Sequence, residues 1–314
     1  MSQNTSTPEE NGSDYIMDPG LAAAVEVALD LGKPLLVTGA PGTGKTKLAS
    51  HIASDIVKTK LLQFNTKTTS KAKDLLYRYD ALSHFRDSQI GKKRLNPMDY
   101  VQFKFMGKAI LEASQKQYVV LVDEIDKAPR DFPNDVLFEF DEMAFGVEEA
   151  TVEDIKSWKT ENPKYEHVLI DEEDGYFRTE KNAAKRPVLI LTSNSEKNLP
   201  DAFLRRCVYY HIEFPKKERL IDIVEANVKV SPAFTEAMVE AAVDHFLRIR
   251  KLTLRKKPAT AELVSWVHIL YKNGLDVNKV LDGEDKDQKE KLRQAYTVLF
   301  KNKEDLTFID NLLG

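Results

Sequence analysis

Apolar residues follow two rhythms along this chain. Between residues 33 and 214, short continuous apolar runs alternate with stretches of helical period, and beyond Pro215 only the helical period persists. The opening segment DPGLAAAVEVALDLG (18–32) has an Asp cap, a Pro in its first turn and a closing Gly, which predicts a helix. Five apolar runs predict strands: KPLLVTGA (33–40), KLLQFNTK (60–67), YVVLVDE (118–124), PVLILTSN (187–194) and CVYYHIEF (207–214). The third is continuous and β-branched, as strands of a parallel sheet buried on both faces are. TKLASHIASDIVKT (46–59) and FPNDVLFEFDEM (132–143) lie between strands with helical spacing. The alternation predicts an α/β class with a parallel sheet flanked by helices.

Two intervals interrupt it. Residues 71–98 are charged with scattered aromatics, and residues 145–186 are highly charged and read as an inserted hairpin or loop. After Pro215, KKERLIDIVEANV, PAFTEAMVEAAVDHFLRIRK, ATAELVSWVHILYKNG and QKEKLRQAYTVLFKN are helical in period, with no convincing strand between them. The expected organisation is a disordered tail over 1–14, an α/β domain over 15–215 and a helical domain over 216–314.

The first strand runs into GAPGTGKT (39–46), which fits G-x-x-x-x-G-K-[ST] in full. A chance match somewhere in a chain of this size is expected about once in a hundred, and the strand before it and helix after it lower that further. Gly39, Gly42 and Gly44 let the backbone N–H groups of Gly39, Ala40, Pro41, Gly42, Thr43 and Gly44, except at proline, turn inward around phosphate oxygens. Lys45 would reach the β- and γ-phosphates and Thr46 would ligate Mg²⁺. Asp123 and Glu124 close the third strand, where open α/β sheets bind ligands. Asp123 would hold Mg²⁺ and Glu124 would polarise the attacking water, while Asp126 reads as structural.

Composition removes other classes. The chain is 42% hydrophobic and 31% charged, so it can bury a core. A net charge of −4 argues against a whole-surface nucleic-acid binder. One cysteine permits no internal disulfide, which suits a reducing compartment. The polar, acidic start lacks the basic and apolar regions of a secretory signal, and no apolar run nears the ~20 residues a membrane span needs. These features point to a cytoplasmic protein with no membrane association.

With both motifs placed, the chain resembles an AAA+ ATPase of the MoxR-like group over roughly residues 15–275. GAPGTGKT, VVLVDEIDKAPRDFPNDVLFEFDEMAF and LILTSNSEKNLPDAFLRRC carry the resemblance. It implies a P-loop AAA+ core, a helical lid, ATP and Mg²⁺ as cofactors, and a homo-oligomeric ring, usually of six subunits. It places Asn194 at the sensor-1 position, between γ-phosphate and water. It makes Arg206, with Arg205 as the alternative, the arginine finger that reaches a neighbouring subunit's site. The intervals after Lys45 and over 145–186 look like the family's insertions. One departure stands out: Ala261 occupies the position where members often carry a sensor-2 Arg, so either Arg255, Lys256 or Lys257 substitutes for it or the sensor is absent.

Other signals carry less. NKED (302–305) matches a guanine-reading pattern but ends a C-terminal helix instead of following a strand. The basic run RIRKLTLRKK (248–257) reads as a solvated helix end and turn. Tyr77, Tyr79, Phe85, Tyr100, Phe103 and Phe105 flank the first insertion and read mostly as core. The expected function is an ATP-hydrolysing ring motor that remodels or activates a protein partner; by resemblance, that partner is often a von Willebrand factor A-domain protein. A motor on nucleic acid and a nucleotide-dependent scaffold with little hydrolysis are the alternatives. Glu124, Asn194 and Arg206 count against the scaffold, and Ala261 counts for it.

Overall fold

A computed structural model describes residues 15–90, 95–179, 185–195, 199–228 and 234–309. The tail over 1–14 lies outside them. The chain divides into two compact units. One comprises the residues up to Thr38 together with Lys45–His211, and the other Gly39–Gly44 together with the residues from Ile212 onward.

The first unit is built on a five-stranded parallel sheet. Its strands are β1 (Leu35–Gly39), β2 (Leu61–Asn65), β3 (Val119–Asp123), β4 (Val188–Ser193) and β5 (Val208–Ile212), in the spatial order β5-β1-β4-β3-β2. Leu35 pairs with Ile190, Leu121 with Ile190 and Asn65 with Asp123, so β1, β2, β3 and β4 end at one level. Val119, Val120, Leu121 and Val122 are all fully buried, as expected for a strand covered on both faces. The helix Pro19–Leu31 starts at Asp18, whose carboxylate accepts from Leu21 N–H, and stops at Gly32 in the left-handed region.

Three segments differ from their periodicity. The helix after the glycine loop is α-helical only over Lys45–His51 and then widens to a π-helical turn over Ile52–Ile56. The helix predicted over 132–143 is two short pieces, Phe132–Asp135 and Leu137–Glu142, which break at Val136. Residues 145–186 are more than a loop. They hold a helix, Val152–Glu161, and two strands, Leu169–Ile170 and Phe177–Arg178, that complete a small antiparallel sheet with Ala144–Phe145.

The two insertions share one apolar core. The first forms the hairpin Tyr77–Tyr79 with Val101–Phe103. Phe103 packs edge-on to Phe145, Trp158 and Phe177 of the second at 6.1, 5.8 and 5.6 Å. Tyr77 donates to Glu149 at 2.9 Å, and Asn96 donates to the Asp154 carbonyl at 2.8 Å. Tyr77, Tyr79, Phe103 and Phe105 are therefore core or core-edge residues, whereas Phe85 is 63% exposed beside Leu82 at 78% on the helix Ala81–Gln89.

In the second unit, the helices Lys217–Asn227, Glu236–Lys251, Thr260–Asn273, Val277–Asp282 and Lys286–Tyr296 enclose a separate core around Trp266, Phe246 and Tyr296. The NKED segment has a structural task there. Asp305 is buried and its carboxylate accepts from the backbone N–H groups of Arg255 and Lys256 at 3.0 and 3.3 Å. Within the basic run, Arg250 lies over the Phe214 ring, 3.4 Å from its centroid, and Arg255 pairs with Glu304 at 2.6 Å. No helix among the described residues is long and apolar enough to cross a membrane.

Candidate nucleotide site

The loop between β1 and the following helix depends on glycine. Gly42 and Gly44 take φ of 75° and 87°, a region costly for residues with a Cβ. A Cβ on Gly42 would also come within 2.8 Å of the Ala259 Cβ. The same added Cβ would lie 3.5 Å from the Cβ of Ala261. The position suggested for sensor 2 therefore borders the loop, but a methyl group stands there. Arg255, one of the suggested substitutes, is engaged by Glu304.

Lys45 opens the next helix and is buried. Its ammonium donates to Asn194 Oδ1 at 3.0 Å. Burial holds its pKa below the ordinary lysine range, opposed by the charges of Asp123, Asp126 and Glu124. Thr46 Oγ1 donates to Asp123 Oδ2 at 3.1 Å. A hydroxyl and a carboxylate thus converge as hard oxygen donors, a set that suits Mg²⁺ completed by water and phosphate.

Thr192 of β4 joins the parts. Its hydroxyl accepts from the Glu124 N–H at 2.9 Å and donates to Asp123. Glu124 itself adopts φ 56°, ψ 49°, the left-handed region, directly after β3. Such backbone strain is retained where surrounding structure over-determines it, often at functional sites. Its carboxylate pairs with Lys127 at 2.5 Å. Asp126 accepts from the Asn194 N–H at 3.2 Å, so it supports the strand tip.

Asp123, Glu124, Lys45, Thr46 and Asn194 are brought together by these bonds. Arg206 is not bonded to them. Its Nε donates to Asp141 at 2.5 Å and its Nη1 to the Ala202 carbonyl at 2.9 Å. Arg205 beside it is exposed. Burial first, and Asp141 second, push the neighbouring Cys207 thiol up to about 12. Sequence reasoning missed Thr192, Lys127 and Asp141. Only Thr192 leaves a trace, as a polar residue in an otherwise apolar buried run.

The family model of the AAA domain, dynein-related subfamily, matches residues 34–207. The chain belongs to this family. The matched span of the AAA domain runs from the start of β1 to Cys207 and contains every residue of the cluster. No curated protein matches the chain. Among solved structures, a variant of Thermotoga maritima RuvB is similar, with 15% identity, coverage of 88% of this chain and 74% of that one, and a TM-score of 0.40.

Proposed function

We propose that this AAA domain protein is an ATP-hydrolysing ring motor of the MoxR type that remodels or activates a protein partner. The hydrogen bond from Lys45 to Asn194 carries the reading, because it puts the phosphate-binding lysine and the polar strand tip at one point, with Asp123 and Glu124 alongside. Lys45 would pair with the β- and γ-phosphates, and Asn194 would orient the attacking water. Glu124 would take the proton from that water as its oxygen bonds to the γ-phosphorus and the bond to the bridging oxygen of ADP breaks. Thr46 and Asp123 would hold Mg²⁺, which supplies charge neutralisation on the phosphates. Arg206 would complete the site of a neighbouring copy. The absence of a charged side chain at Ala261 means that lid movement would be coupled to hydrolysis by other contacts.

A direct ATP titration and a turnover assay test this. Lys45→Ala should lose nucleotide binding, because the phosphate charge loses its fixed counter-charge. Glu124→Gln should bind ATP and turn over about 10²- to 10⁴-fold more slowly. Unchanged binding in the first variant removes the loop assignment, and full turnover in the second shows that water is activated elsewhere. The client class is read from stimulation of the wild-type ATPase. A von Willebrand factor A-domain protein should stimulate, and stimulation by DNA or RNA alone would replace the protein-client reading.

A further inference from the structure

Arginine on a short helix end is ordinarily a free, mobile cation. Arg206 is held on two sides. Asp141, from the helix Leu137–Glu142, takes Nε, and Ala202, one turn back on the helix Asp201–Leu204, takes Nη1. Nη2 has no hydrogen-bond partner among the described residues. The Arg206 side chain stays 43% exposed at a cleft of about 560 Å³ that Phe138, Asp141, Glu142 and Arg178 also line. Arg205, by contrast, has no side-chain hydrogen bond or ion pair among the described residues.

We propose, resting on the reading of Arg206 as the finger, that Asp141 is the positioning residue that fixes its guanidinium and leaves Nη2 to meet the phosphate of a neighbouring copy's nucleotide. An arginine side chain loses rotamer freedom when it is fixed, and its planar fork makes one fixed edge enough to orient the others. A finger that is ordered before the neighbour arrives does not lose that freedom during the reaction. Asp141 is also only one helix away from β3, so the residue that orients the finger follows in sequence from the strand that carries Asp123 and Glu124. An exposed ion pair of this kind adds little stability. Its effect should therefore appear in turnover and not in folding.

The experiment compares Asp141→Ala, Asp141→Asn, Asp141→Glu and Arg206→Ala, each alone, and Asp141→Ala combined with Arg206→Ala. Each is assayed at saturating protein concentration with assembly monitored by sedimentation. Asp141→Ala should lower kcat roughly three- to tenfold, the scale of releasing one long side chain, with nucleotide KM and assembly unchanged. Asp141→Asn should fall between it and wild type, and Asp141→Glu should recover activity. In the Arg206→Ala background, Asp141→Ala should have no further effect. Wild-type or raised kcat in Asp141→Ala, with Arg206→Ala inactive, overturns the positioning role and leaves the finger standing. Full activity in Arg206→Ala removes the finger itself. A further loss in the double variant shows that Asp141 acts through something else. Should Asp141→Ala fail to fold, the near-isosteric Asp141→Asn carries the same comparison.

Discussion

Thr192 shows how one buried hydroxyl can tie together the two acidic residues proposed to act in hydrolysis. Its oxygen accepts from the Glu124 N–H and donates to Asp123 while the side chain is fully shielded from water. Thr192→Val keeps the shape and removes both bonds. It should destabilise the first unit by about 1–3 kcal/mol, because the Glu124 amide is left without its partner. It should also lower kcat by at least about tenfold, since Glu124 is held in a left-handed conformation that this bond helps to fix. Denaturant melts and steady-state turnover measure the two effects, and wild-type kcat in the variant would show that the strained backbone holds without Thr192. At this scale, part of the site was legible in the sequence. Lys45, Thr46, Asp123 and Glu124 stand in motifs whose spacing is local, and Asn194 tips an apolar run. Lys127 and Asp141 were not legible. Their importance depends on which charge the fold sets beside them, and a charged residue on a short helix has no distinguishing pattern.

Elements divide the same way, according to whether their signal is local. All five sheet strands were legible as apolar runs, with ends shifted by one or two residues. The helix Val152–Glu161 was missed within a charged interval, although Thr151 and Asp154 form a capping box that is written in the sequence. Its buried residues are only Ile155 and Trp158, too few to mark a helix within a charged interval, and Phe103 packs against Trp158 from outside it. The π-helical turn and the break at Val136 carry no comparable local signal. In the helical unit, Trp266, Tyr296 and one buried histidine, His245, pack as a triad, with ring centroids 6.0, 5.7 and 5.9 Å apart. His245 Nε2 bonds the Tyr296 hydroxyl at 2.6 Å, and burial, with Arg248 as a lesser cause, lowers its pKa to about 4. The unfolded chain binds this proton near pH 6.5, and the folded unit refuses it until about pH 4. Stability from this group is therefore complete above about pH 6.5 and falls as pH drops from there to about 4, by something on the order of 2–3 kcal/mol. Melting temperature followed against pH should show this fall in wild type and a shallower one in His245→Gln. Parallel curves for the two proteins would show that His245 does not contribute.

For the whole molecule, the question is whether one subunit suffices for hydrolysis. Within one subunit Lys45 and Asn194 are in direct contact, and Arg206 makes its hydrogen bonds to Asp141 and Ala202, not to those residues. If Arg206 acts as the proposed finger it needs a second copy, which a head-to-tail ring would supply by setting one surface against a different surface of the next subunit. Activity should therefore rise with protein concentration. Arg206→Ala should bind ATP normally and lose most hydrolysis, by a factor within the range of about 10³–10⁵ known for such arginines. Lys45→Ala should be inactive for the separate reason that its own site is empty of nucleotide. When the two variants are mixed, some interfaces place an intact Lys45 pocket against an intact Arg206, and partial turnover should return from two inactive preparations. The fraction of such interfaces is greatest near equal mixing, so activity plotted against composition should pass through a maximum. If co-assembly is demonstrated and the mixture stays inactive at every ratio, Arg206 does not act across the interface. If Arg206→Ala alone keeps full activity while Arg205→Ala loses it, the role belongs to the neighbouring arginine, whose side chain is not held by Asp141 and would have to be ordered by the partner subunit itself.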